Sequence, residues 1–170
     1  MNPKQQALNN KQRERRQRGH DFQEEILESL RFVPNVWTIH IKDGPGGSRP
    51  ADRIILTEKI NILAELKRTE GQRFYLSFLR TNQLQGLVDF DQVIERNLGL
   101  VFVSFHNPKK TLDETYVFRL TTALQYMQRK DRLYIDLKEL QEGAISTLYL
   151  PRQNDIYDLQ EVNNLHCKSL

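Results

Sequence analysis

The stretch RPADRIILTEKINILAELK, residues 49–67, decides how the rest of the chain is read. Two runs rich in β-branched residues, ADRIIL (51–56) and INILAELK (60–67), flank the polar residues Thr57, Glu58 and Lys59, which is the pattern of a β-hairpin. Both runs place apolar side chains on both faces, so the two strands are central to a sheet that is covered on two sides. Charged residues within them therefore need a reason. If the turn is centred between Glu58 and Lys59, residues whose numbers sum to 117 face each other, and Asp52 with Glu65 is such a pair. Directly opposed residues in a regular antiparallel ladder have Cβ atoms about 4.5–5.5 Å apart, near enough for two carboxylates to share a cation. Strand alternation puts Lys67 on the same face as Glu65.

Two carboxylates this close repel one another, and a divalent cation removes the cost. Oxygen donors suit Mg²⁺ or Mn²⁺ rather than zinc. With such an ion, Lys67 can orient the attacking hydroxide or stabilise charge on a scissile phosphate, which is metal-assisted phosphodiester hydrolysis. The competing reading is an ordinary surface ion pair between Lys67 and one acid.

Working outward, Phe22, Ile26, Leu27 and Leu30 share one side of a helical wheel closed by Pro34, so a first helix begins near Asp21. Asn35–Lys42 reads as a strand, followed by the glycine loop DGPGGSRP (43–50), which is either a permissive turn or a phosphate-approaching backbone segment. Beyond the polar stretch around Gly71, the segment 74–97 ends in an amphipathic helix with Leu84, Leu87, Val88, Val93 and Ile94 as its buried positions. LGLVFVSF (98–105) and TYVFRL (115–120) read as further strands and TTALQYMQRK (121–130) as a helix, after which the pattern is too broken to assign. This order predicts a mixed α/β sandwich with helices on the faces of its sheet. Trp37, Phe102 and Phe105 fall in strand patterns and read as core.

The chain of 170 residues suits one domain, residues 19–170, behind a basic arm, residues 1–18. Six basic residues (Lys4, Lys11, Arg13, Arg15, Arg16 and Arg18) stand against Glu14 in that arm, whose scarcity of apolar side chains predicts disorder. Such a charge run fits a polyanion partner, because Lys and Arg displace counterions from nucleic-acid phosphates; the alternative is a solvated tail. No apolar run is long enough for a membrane span, the first residues hold no apolar signal core, and the single Cys167 forms no internal disulfide, so an intracellular, reducing compartment is expected. His20, His40, His106 and His166 show no spacing of the kind that makes a zinc site.

RPAD (49–52), followed thirteen residues later by ELK (65–67), resembles the PD-(D/E)XK nuclease superfamily. The wider layout is similar to the RecU group of Holliday-junction resolvases and their phage relatives. The resemblance runs from RGHDFQEEI (18–26) through the hairpin and RFYLSF (73–78) to NQLQGL (82–87) and LVFVSF (100–105), about half the chain. It implies a restriction-endonuclease-like central mixed sheet flanked by helices, with Asp52, Glu65 and the Leu66 carbonyl holding Mg²⁺ or Mn²⁺, Lys67 serving catalysis and Gln83 supporting the site. It further implies a homodimeric endonuclease that cuts branched double-stranded DNA, most simply a four-way junction, in recombination and repair, in the cytoplasm of a bacterial cell or a phage-infected host. Two other outcomes stand beside it: a nuclease of the same superfamily without junction specificity, and an inactive DNA-binding protein of that fold.

Two departures matter. The family's first-helix acid is replaced by Gln23, followed by Glu24 and Glu25, so either the Gln23 carbonyl oxygen or one of those acids completes the metal site. The glycine loop is shorter than the stalk that RecU proteins insert there. Arg49, Arg53, Arg68, Arg73 and Arg80 near the motif join Lys11, Arg13, Arg15, Arg16 and Arg18 as expected phosphate contacts.

Overall fold

A computed structural model describes residues 2–42, 44, 48–165 and 170. Residues 43 and 45–47 of the glycine loop, His166 and Cys167 lie outside that range. Six strands form one mixed sheet in the order β1 (Trp37–His40), β2 (Arg53–Leu56), β3 (Asn61–Thr69), β5 (Asn97–Asn107), β6 (Leu112–Arg119) and β8 (Leu148–Tyr149). The central pair, β3 and β5, is parallel; the other neighbours are antiparallel. A parallel pair needs a crossover, and α2 (Thr81–Val93) supplies it.

Each face of the sheet carries its own core. On one, Phe22, Ile26 and Leu30 of α1 (Pro3–Leu30) pack on Ile62, Ala64 and Leu66 of β3. The C-terminal strands β9 (Arg152–Gln153) and β10 (Ile156–Tyr157) and helix α5 (Gln160–Asn164) cover the same face through Tyr157, Leu159 and Val162. On the other, Leu63, Val101 and Val103 meet Leu87 of α2 and Ala123, Tyr126 and Met127 of α3 (Leu120–Arg129). This is the expected mixed sheet with helices on both faces. The parallel strand β5 is buried along its first nine residues, as its unbroken apolar run requires.

The hairpin register is the one predicted: Arg53, Ile54, Ile55 and Leu56 face Ala64, Leu63, Ile62 and Asn61. The ladder ends one residue early. The Asp52 N–H donates to the Ala64 carbonyl at 3.0 Å, and the Leu66 N–H donates to Asp52 Oδ2 at 2.9 Å, so a side chain continues the pairing that the backbone leaves off.

Three expectations are corrected, and one unassigned stretch is filled in. Residues 3–18 are not a disordered arm but the N-terminal part of α1. Ala, Gln, Lys, Arg and Glu lose little rotamer freedom in a helix, and extending one already anchored at Phe22 and Ile26 needs no new nucleus. Trp37 is not core but 55% exposed, because β1 is the free edge of the sheet. Val93 and Ile94 are exposed as well, since α2 ends there, past its contact with β5. Residues 130–170 form short elements: β7 (Tyr134–Asp136) pairs with β4 (Arg73–Tyr75) in a separate ribbon, and α4 (Leu137–Gln141) follows directly. Among the described residues no helix is long and apolar enough to cross a membrane.

Candidate metal centre and nucleic-acid cleft

Asp52, Glu65 and Gln83 are polar residues buried together, with exposures of 1%, 1% and 3%. Asp52 comes from the foot of β2 and Glu65 from β3. Gln83 belongs to the first turn of α2, where its side chain caps the helix: the Arg80 N–H donates to Gln83 Oε1 at 2.9 Å. That bond fixes the amide orientation, and Gln83 Nε2 donates to Glu65 Oε1 at 2.6 Å. Lys67 Nζ lies 2.6 Å from the same oxygen. Glu65 Oε2 is buried with no hydrogen-bond partner among the described protein atoms. Both Asp52 oxygens are engaged, Oδ1 by Arg49 at 2.5 Å and Oδ2 by the Leu66 N–H.

The approach of α2 depends on two glycines. A Cβ on Gly86 would stand 2.5 Å from Pro50 Cβ, and one on Gly99 would stand 2.3 Å from the Leu87 carbonyl oxygen. Gly86 thus lets α2 settle on the RPAD turn, which brings Gln83 onto Glu65. Gln83 was legible in the sequence and Gly86 was not, although a glycine inside an amphipathic helix was the available signal.

Burial raises the Glu65 pKa to about 7, with a further upward push from the Asp52 charge; Lys67 and Arg49 oppose it. Lys67 and Gln83 both engage Oε1, so the orphaned Oε2 is the donor a hard cation would satisfy. The donor set of two carboxylates, a nearby amide and the backbone fits Mg²⁺ or Mn²⁺. Among the described residues no group of three His, Cys, Asp or Glu side chains could hold a metal, so a third ligand would have to be a neutral oxygen or water.

The centre opens into a cleft of about 730 Å³ between the middle of α1 and the start of α2. Gln23 lines it, together with Arg15, Arg16, Arg18, His20, Arg49, Arg80, Lys67 and Leu66. Glu24 is exposed and lines no part of it. Glu25 is turned the other way, onto Arg68.

The chain matches no protein-family model, and no curated protein matches it. Among solved structures it is similar to Hjc, a Holliday junction resolvase from Archaeoglobus fulgidus, an archaeal hyperthermophile. That similarity has a TM-score of 0.48 at 17% identity, over 71% of this chain and 89% of that one.

The expected phosphate contacts separate by position. Arg15, Arg16, Arg18, Arg49, Arg68 and Arg80 line the cleft, where Arg18 pairs with Glu70 at 3.3 Å. Arg53 is buried, donating from Nε to Thr38 Oγ1 at 3.2 Å, and Arg68 has a side chain 3% exposed, so neither can reach a phosphate at the surface. Arg73 pairs with Asp136 across the β4–β7 ribbon and stacks on Tyr134. Arg13 is exposed on α1 outside the cleft lining, and the Lys11 side chain is outside the described set.

Proposed function

We propose that this chain is a metal-dependent, structure-selective DNA endonuclease whose preferred substrate is a four-way junction. The observation that carries the reading is the orphaned, buried Glu65 Oε2 beside Asp52 and Lys67, at the base of a cleft lined by arginines. Asp52 and Glu65 would hold Mg²⁺ or Mn²⁺, with the Leu66 carbonyl and the Gln23 side-chain oxygen as neutral donors. When bound, the cation supplies Lewis acidity that activates water and draws charge from a scissile phosphodiester. Lys67, 23% exposed by side chain, offers its ammonium to the negative charge that develops on the phosphoryl oxygens. Gln83 keeps Glu65 in place. Arg15, Arg16, Arg18, Arg49 and Arg80 grip phosphates flanking the cut and carry no base readout, so recognition is of backbone path and shape.

A four-way junction has approximate twofold symmetry, and paired nicking calls for a C2 homodimer with one centre per subunit. Such an enzyme belongs to DNA recombination and repair in the cytoplasm. The test is cleavage of a labelled junction with Mg²⁺ or Mn²⁺, beside linear duplex, fork and flap substrates. Lys67→Ala should lose about 10²-fold or more in rate. Equal rates for Lys67→Ala and wild type would refute the catalytic assignment, and equal rates on all substrates would leave a nuclease without junction preference. One observation favours a second reading: Gln23 occupies the cleft position where an acid was expected. Junction binding without cleavage at any cation or pH would make the chain a DNA-binding protein of this fold.

A further inference from the structure

Arg68 follows Lys67 on β3 and therefore points to the opposite face of the sheet, toward α1. Its guanidinium is almost fully used there. Nη1 and Nη2 grip both oxygens of Glu25 at 2.9 and 2.5 Å, Nη2 also reaches the Tyr157 hydroxyl at 3.0 Å, and Nε donates to Ser104 Oγ at 3.0 Å. The group lies 4.9 Å from the centroid of the Phe22 ring, which packs edge-on against Tyr157. Arg152 adds a second cation to Glu25 at 3.2 Å. Ser29 ties the chain again, accepting from the Tyr157 N–H at 2.9 Å. Phe22 and Glu25 flank the residues at issue in the cleft: Gln23 lies between them.

We propose that Arg68 is a positioning residue for the metal centre, clamping Glu25 and Phe22 so that α1 delivers Gln23 to the cleft, with Tyr157 of the C-terminal hairpin completing the clamp. This rests on the nuclease reading above and extends it to Tyr157, which lines no part of the cleft. The planar fork of Arg68 fixes two adjacent points on one helical turn, which sets both the height and the rotation of α1 over β3. It also accounts for Gln23 rather than Glu25 facing the cleft: the acid two positions on is held on the far face.

The test uses the full chain and three readouts: Mn²⁺ binding by calorimetry, the Mn²⁺ dependence of junction cleavage, and the melting temperature. Tyr157→Phe removes the hydroxyl's bonds to Arg68 and Glu25 with no change of charge, and Glu25→Gln weakens the bidentate pair. Each should raise the half-saturating Mn²⁺ concentration by about tenfold in both binding and cleavage. Arg68→Lys should not restore wild-type values, because an ammonium cannot hold both Glu25 oxygens. Thr121→Ala, which removes a 3.1 Å bond to Asp91 on the other face, serves as a destabilised control and should leave the Mn²⁺ isotherm unmoved. Clamp variants that melt earlier yet bind Mn²⁺ as wild type does would overturn the proposal and leave the nuclease reading standing. A wild-type isotherm that Glu65→Gln does not alter would instead remove the metal centre itself, and the proposal with it.

Discussion

Gln83 holds Glu65 by a 2.6 Å bond while its own carbonyl oxygen is occupied by the Arg80 N–H, so one amide is both helix cap and carboxylate support. Truncation should therefore be felt twice. Gln83→Ala is expected to destabilise the fold by about 1–3 kcal/mol, the range for leaving buried polar groups unpaired, and to slow cleavage by about 10–100-fold. Gln83→Glu keeps the cap but sets an anion against Glu65, and should recover stability only when Mn²⁺ is present. Denaturant melts with and without the cation measure both.

Gly86→Ala should destabilise by about 1–3 kcal/mol, because the added methyl would meet Pro50 at 2.5 Å and the contact is with a rigid ring in the turn that presents Asp52. Gly71→Ala places its methyl 3.5 Å from the nearest atom and should change stability by less than about 0.5 kcal/mol. Comparable losses for the two would show that α2 does not depend on close approach.

Glu65 gives the metal-free protein a pH dependence of definite sign. Its folded pKa, about 7, lies above the ordinary value of 4.5, so its contribution favours folding below pH 4.5 and is lost as pH rises through 7. In chelator, the melting temperature of wild type should fall between pH 5 and 8 more than that of Glu65→Gln. Added Mn²⁺ should reverse the slope by binding the ionised form. Parallel curves for the two proteins in chelator would contradict the shifted carboxyl.

The arginines of the cleft should act through phosphates. Replacing Arg15, Arg16 and Arg18 together by alanine should weaken junction binding and flatten its dependence on log salt by about 0.9 per lost phosphate contact. Arg73→Ala, on the β4–β7 ribbon outside the cleft lining, should leave that slope as it is.

Gln23→Glu would place a third carboxylate at the centre. Lower half-saturating Mn²⁺ is the expected result, read by calorimetry on the protein alone. An unchanged isotherm would show that the side chain at position 23 does not reach the cation.

How far the sequence could be read depended on the range of the interactions involved. The hairpin register followed from local pattern, because a slip of one residue would have turned Ile55 and Ile62 to the wrong face. The early end of the ladder at Asp52 did not, since it turns on a side chain capping the Leu66 N–H. Alternation placed Lys67 beside Glu65, and the contact is there. Which first-helix residue enters the cleft was illegible for a different reason: Glu25 is turned away by Arg68, Arg152 and Tyr157, two of which lie more than 120 residues downstream. The C-terminal third was unreadable because strands of two or three residues show no period.

The free edge at β1 has a practical consequence. The chain contains a single tryptophan, and Trp37 sits on that edge opposite Leu56, half in water and on the far side of β2 from Glu65. Its emission is therefore a built-in gauge of whatever adds a strand to the sheet: a blue shift with rising protein concentration would register edge-to-edge association separately from events in the cleft.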